Sequence, residues 1–128
     1  MVSIVIVAYK ADKQLIDCIK SIYKSKQKAA FEIIVVDNWE NSRIESTLKK
    51  RLSKVKYFKS KKNLGYGAGN NLGIKKTLGE YVFVLNPDTA IKDGQISTLV
   101  NYLKKNKKIA AISPQILDSK NIVYDEQG

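Results

Sequence analysis

The feature that most constrains the fold is a change of hydrophobic period that recurs along the chain. Val2 to Ala8 is a short run rich in Val and Ile. Such a run reads as a strand buried on both faces, the kind found inside a parallel sheet. The period then lengthens. Leu15, Ile16, Ile19, Ile22 and Tyr23 recur at helical spacing, with Asp12, Lys13, Asp17, Lys20 and Lys24 between them. Asp12 stands where an N-cap is expected, and Cys18, three after Leu15 and four before Ile22, belongs to the packed stripe.

The alternation continues. Phe31 to Val36 forms a second buried strand that ends at Asp37. Arg43 to Leu52 reads as a short helix. Val55 to Phe58 is a third strand, more polar and so nearer an edge. Lys59 to Gly65 is a loop, and Tyr66 to Leu78 is helical despite its glycines, with Asn71, Ile74 and Leu78 on one face and Gly79 as the stop. Glu80 to Leu85 is a fourth buried strand, ending at Asn86-Pro87-Asp88. A helix follows with Ile96, Leu99, Val100 and Leu103 on one stripe. Ile109 to Ser113 reads as a fifth strand, and Gln115-Ile116-Leu117 with Ile122-Val123-Tyr124 as a C-terminal β-hairpin. The expected fold is therefore α/β: one domain over residues 1–128, a mostly parallel sheet with helices on both faces, joined by right-handed crossovers.

Composition narrows the chemistry. There is no histidine, which removes His-based general base catalysis, Ser-His and Cys-His nucleophile pairs, and most zinc sites. The formal net charge is +11, and all the cationic side chains except Arg43 and Arg51 are lysine. That balance favours anionic partners, although scattered lysines also serve as a solvated coat. Nucleic acid is not expected, because only two arginines are available for bidentate base contacts and no helix-turn-helix or RNP-like pattern is present. No apolar run approaches the roughly 20 residues of a membrane span. No secretory leader is visible after Met1, and the single Cys18 suits a reducing compartment. The expected location is the cytoplasm.

Parallel α/β sheets bind ligands beyond the carboxyl ends of their strands, where strand order reverses. Three strands here end at Ala8-Tyr9, at Asp37-Asn38 and at Asn86-Pro87-Asp88. An aspartate after a buried strand can be a plain turn former. Two at equivalent strand ends, beside a tyrosine at a third, point to a site. Carboxylates without histidine suit hard cations, and magnesium takes one or two of them and completes its shell with phosphate and water. Asp88 fits that role at a diphosphate, Asp37 fits an acceptor for a base N–H or ribose hydroxyls, and Tyr9 fits a base-stacking ring.

The segment Asn63 to Gly73 carries four glycines. It is not the dinucleotide fingerprint, because Asn70 or Leu72 stands where the third glycine is required, and it follows the third strand rather than the first. No G-x-x-x-x-G-K-[ST] loop is present. Close helix packing and backbone contact with a ligand both remain open for it.

Taken in order, Val2 to Tyr9, Glu32 to Asn38, Asn63 to Gly73 and Val84 to Thr89 resemble the family 2 glycosyltransferases of GT-A fold. The nearest likeness is to the rhamnosyltransferase-like branch, where Asn-Pro-Asp replaces Asp-x-Asp. The resemblance implies transfer of a sugar from a nucleotide-diphosphate donor of UDP or dTDP type to a saccharide or lipid-linked acceptor hydroxyl, with inversion. It implies that Ala8 and Tyr9 line the base pocket and that Asp37 contacts base or ribose. Asn63, Gly65 and Asn70 would lie near the nucleotide-sugar, and Asp88 would ligate Mg²⁺ or Mn²⁺.

Asn86 departs from the family by replacing the first acid of Asp-x-Asp, which leaves it as a hydrogen-bonding group. The family's general base belongs to a later acidic pair, expected beyond Gly128. The chain is therefore expected to be the donor-binding part, with little turnover by itself. The competing reading is a non-catalytic module that binds a nucleotide diphosphate or an anionic surface. Its basic surface also suits peripheral contact with the inner face of a membrane.

Overall fold

The computed structural model describes residues 1–118 and 120–123. Four strands, β1 (Val2–Ala8), β2 (Phe31–Asp37), β3 (Lys56–Lys59) and β4 (Tyr81–Leu85), alternate with four helices, α1 (Asp12–Lys24), α2 (Ile44–Arg51), α3 (Tyr66–Ile74) and α4 (Gln95–Lys105). The strands form one sheet in the order β3-β2-β1-β4, and every pairing is parallel. Strand order runs outward from β1 through β2 to β3 and reverses once, between β1 and β4, where the chain crosses back over β1. The switch-point crevice therefore opens beyond the carboxyl ends of β1 and β4, with the end of β2 beside it.

The sheet is covered on both faces. On one, Ile4, Ile6, Ile33 and Val35 meet Leu15, Cys18, Ile19 and Ile22 of α1, Ile44 and Leu48 of α2, and Ile96 and Val100 of α4. On the other, Val5, Val7 and Val36 meet α3 at very short range. A Cβ on Gly73 would stand 2.5 Å from Val5 Cγ1, and one on Gly69 would stand 2.8 Å from Val7 Cγ1. These two glycines let the helix backbone lie directly on the strands.

A polar lock closes the sheet's opposite edge. Glu32 accepts hydrogen bonds from Ser3 Oγ (2.5 Å), Lys56 Nζ (2.7 Å) and the Leu78 N–H (2.7 Å), while Ser3 Oγ accepts the Gly79 N–H at 2.8 Å. These bonds join the amino ends of β1 and β2 to β3 and to the connection into β4. Burial pushes the Glu32 carboxyl up, but the bonds from Lys56, Ser3 and Leu78 outweigh it and hold the group below its ordinary value.

Several expectations need correction. Asp12 is the first helical residue, not the cap: the N-cap is Ala11, without a side-chain cap bond, and the Asp12 carboxylate accepts from Ser42 Oγ. Helix α3 stops at Ile74, and its buried face is Gly69, Asn70 and Gly73 rather than Asn71, Ile74 and Leu78. Gly79 belongs to the turn into β4. Strand β4 is not buried on both faces. Tyr81, Phe83 and Leu85 face the core, but Val82 and Val84 are each 41% exposed, because α3 lies over β1 and β2. Ile109 to Ser113 is not a strand. The hairpin reduces, among the described residues, to one antiparallel bridge between Leu117 and Val123; Tyr124 lies outside them.

Candidate functional site: the strand-end cleft

At the carboxyl edge, the strand ends stand side by side. Ala8 pairs with Asp37, and Asp37 with Lys59. Beyond Ala8 the chain turns through Lys10, whose φ of 52° is left-handed, an uncommon conformation for a residue with a side chain. That turn sets the Tyr9 ring at the surface, 47% exposed, with Lys10 Nζ 5.3 Å from its centroid. An open cleft of about 260 Å³ lies there, lined by Tyr9, Lys10, Asn38, Trp39, Glu40, Asn41 and Asn63.

Of the residues expected at the site, Tyr9 and Asn63 line this cleft. Ala8 is buried in the core beneath Tyr9. Asp37 is 1% exposed, and both carboxylate oxygens are engaged: Oδ1 accepts the Trp39 N–H at 3.0 Å, and Oδ2 accepts the Tyr57 hydroxyl at 2.7 Å. A larger cavity of about 400 Å³ lies beside Glu40, Lys59, Ser60 and Lys61. It contains none of the β1 or β4 end residues, so its size does not make it the better candidate.

Asn38 lines the cleft and was not among the residues singled out from the sequence. Buried at the cleft floor, it donates from Nδ2 to the Gly65 carbonyl (3.0 Å), and its Oδ1 lies 3.1 Å from Ser60 Oγ. The acceptor-only carbonyl of Gly65 fixes which end of the amide carries nitrogen. Asn38 thus ties β2, the end of β3 and the start of α3 together. Trp39 and Asn41 complete the lining. A polar and aromatic cluster directly after β2 was the available signal.

Gly65 is the N-cap of α3, with φ 77°. Its N–H goes to Asn63 Oδ1 at 2.9 Å, and its carbonyl receives Asn38 Nδ2 and the Gly69 N–H. Asn63 is therefore the local turn former here. The next N–H groups, of Tyr66, Gly67 and Ala68, have no hydrogen-bond acceptor among the described residues. Among those residues, a Cβ built on Gly67 would meet no side chain or backbone within 4 Å apart from its chain neighbours and its own helix. An uncapped helix start with open space before it suits a negative group. Asn70, 7% exposed, donates from Nδ2 to the Tyr66 carbonyl. Among the described residues its Oδ1 is a buried acceptor without a donor, the kind of atom that calls for water or a ligand hydroxyl.

At the end of β4, Asn86 to Thr89 form a tight turn. The Asn86 carbonyl receives the Thr89 N–H (3.2 Å) and hydroxyl (2.6 Å), with Pro87 at the position that presets φ. Beneath the turn, the Cys18 thiol approaches the same carbonyl at 3.7 Å. Burial, and secondarily the Asp88 carboxylate, push that thiol from 9.0 up to about 12, so Cys18 packs and does not react. Asn86 and Asp88 are both exposed. Among the described residues no three His, Cys, Asp or Glu side chains gather into a metal cage. One carboxylate on a rigid turn fits Mg²⁺ or Mn²⁺ that is shared with phosphate oxygens, and does not fit a cation held by protein alone.

The described residues contain no helix long and apolar enough to cross a membrane. The profile of Glycosyl transferase family 2 matches residues 3–126. Among curated relatives, the low-salt glycan biosynthesis hexosyltransferase Agl10 of Haloferax volcanii is 34% identical over 97% of this chain and 39% of its own length. Among solved structures, TarS of S. aureus in complex with UDP-GlcNAc superposes with a TM-score of 0.71 at 21% identity, covering 83% of this chain and 32% of that one. The mannosyltransferase PcManGT from Pyrobaculum calidifontis, in complex with GDP-Man and Mn²⁺, gives 0.70 at 16% identity, covering 80% and 32%. The chain thus spans about two fifths of the length of Agl10 and a third of these structures. A profile match across almost every residue, on a parallel α/β sheet with its cleft at the strand ends, shows that the chain belongs to the family 2 glycosyltransferases.

Proposed function

We propose that this chain is the donor-binding part of an inverting glycosyltransferase, which moves a sugar from a nucleotide-diphosphate donor to an acceptor hydroxyl. The observation that carries the reading is the placement of Tyr9, Asp37 and Asn86-Pro87-Asp88 at the carboxyl ends of three neighbouring parallel strands. Tyr9 lines the base pocket, its exposed ring available for stacking, while Ala8, expected there too, is buried in the core beneath it and supports the ring from below. Asp37 receives a base N–H or a ribose hydroxyl. Because it is 1% exposed, that contact requires a rim side chain to swing aside. Asn63 and Gly65 shape the loop beside the nucleotide-sugar, and the unpartnered Oδ1 of Asn70 accepts a donor hydroxyl.

Asp88 would ligate Mg²⁺ or Mn²⁺, and Asn86 would offer a hydrogen-bonding group beside it. The cation, when bound, offsets the charge that builds on the leaving diphosphate. A donor of UDP or dTDP type is favoured, with a saccharide or lipid-linked acceptor, and Asn86-Pro87-Asp88 in place of Asp-x-Asp supports the rhamnosyltransferase-like branch. The base that takes the acceptor proton is assigned to the length of polypeptide that the relatives have and this chain does not span. We place the protein in the cytoplasm, with its basic surface suited to the inner face of an anionic membrane.

Calorimetric titration with UDP and dTDP, with and without Mn²⁺, tests the reading. Binding is expected to strengthen with Mn²⁺, and Asp88→Ala is expected to remove most of that gain, about tenfold or more. If neither diphosphate binds at about millimolar concentration, where binding is worth about 4 kcal/mol, the donor site is refuted. If the metal gain survives Asp88→Ala unchanged, the ligand role fails.

A further inference from the structure

Asp37 ends β2 as a buried carboxylate, and something must aim it. Tyr57 stands on β3 opposite Val35. Asp37 is two residues beyond Val35, so both side chains lie on the same face of the sheet. The Tyr57 hydroxyl donates to Asp37 Oδ2 at 2.7 Å, and the Trp39 N–H donates to Oδ1 at 3.0 Å. Burial, then this hydrogen bond and the negative charge of Asp37, push the phenol well above the ordinary tyrosine range. Tyr57 is therefore a donor throughout the neutral range. A carboxylate has about four lone-pair positions, and these two bonds fill two of them while holding the group in one orientation.

We infer that Tyr57 is a positioning residue of the donor site, fixing the Asp37 carboxylate so that its remaining lone pairs meet a ring N–H of the nucleotide base. The inference rests on the role proposed above for Asp37. It also separates Tyr57 from a plain core residue. A hydroxyl that only satisfies a buried acceptor contributes to stability and leaves ligand preference alone. One that aims the carboxylate changes how well the base is held relative to the diphosphate.

Tyr57→Phe keeps the ring packed against the core and removes the hydroxyl. UDP and inorganic pyrophosphate are titrated separately, each with Mn²⁺, into the wild type and the variant, with a thermal melt beside each titration to establish the folded fraction. UDP affinity is expected to fall by about 5- to 10-fold, the size of one ordinary net hydrogen bond, because the hydroxyl acts on the base through Asp37 and not directly. Pyrophosphate affinity is expected to stay within about twofold, and on an Asp37→Asn background Tyr57→Phe should add no further loss. An unchanged ratio of UDP to pyrophosphate affinity overturns the inference, whatever happens to the melt. A wild type that binds UDP, and a Tyr57→Phe variant that binds it equally well, overturn the Tyr57 role alone. A wild type that binds pyrophosphate but not UDP removes Asp37 from the base and takes the inference with it.

Discussion

The glycines of α3 divide into two kinds, and substituting them one at a time separates packing from ligand space. At Gly73 an added Cβ would lie 2.5 Å from Val5 Cγ1 and 3.2 Å from Val36 Cγ2. Carbon atoms in ordinary contact stand about 3.5–4.0 Å apart, so about 1 Å of overlap must be absorbed. Val5 and Val36 are fully buried in paired parallel strands, which leaves them little room to give. Overpacking of this kind costs about 1–3 kcal/mol. Against it, alanine gains at most about 1 kcal/mol over glycine in a helix, and less here because Gly73 is next to last in α3. Gly73→Ala should therefore lose about 1–2 kcal/mol net, or about 3–8 °C in Tm for a domain of this size.

Gly67→Ala meets open space and should be neutral or more stable by up to about 1 kcal/mol. Urea denaturation followed by circular dichroism reads both. In a double-mutant cycle, Val5→Ala should relieve Gly73→Ala with a coupling of about 1 kcal/mol or more. Equal melting of Gly73→Ala and wild type, or the absence of coupling to Val5, would refute the reasoning from close approach.

Two further outcomes follow from local geometry. Glu32 has a depressed folded-state pKa, so its contribution is present above its ordinary value of 4.5 and is lost as pH falls through the folded value. Glu32→Gln should cost about 1–3 kcal/mol at pH 7 and flatten the acid limb of stability against pH; an unchanged acid limb would show that the lock with Ser3 and Lys56 contributes nothing. Lys10 holds a left-handed backbone at φ 52°, and such a conformation costs a residue with a Cβ about 1 kcal/mol. Lys10→Gly should raise stability by up to that amount in a thermal melt, and a fall in Tm would mean that contacts of the Lys10 side chain outweigh the backbone strain.

The fold was legible where side chains announce it. The Val/Ile runs of β1 and β2 and Leu15, Cys18, Ile19 and Ile22 of the α1 stripe stand in the core, with Ile16 packed against it, whereas Tyr23 of the same stripe is 39% exposed. Helix α3 was misread on its buried face because its packing surface is made of glycines, which carry no hydrophobic signal. Leu78, apolar but 73% exposed, drew the helix too far. Strand β4 reads as fully buried from YVFVL alone, since a sequence run does not say which neighbour covers each face. Ile109 to Ser113 has strand composition, but among the described residues it has no partner strand.

The structure puts Tyr9, Asp37 and Asp88 just at or beyond the strand ends where the sequence pattern expects them, and their roles there remain the proposal made above. Asn38 and Tyr57 are not marked by the sequence, because what sets them apart is a bond to Gly65 and to Asp37, 27 and 20 residues away. Nothing in local pattern marks a long-range hydrogen bond.

The most direct test of the donor site is a crystal structure of the chain grown with UDP and Mn²⁺. The expected result has the base at Tyr9 above the ends of β1 and β2, and the diphosphate running toward β4 with Mn²⁺ bridging it to Asp88. A diphosphate bound instead in the lysine-lined cavity beside Lys59 and Lys61, with Asp88 free of metal, would contradict it.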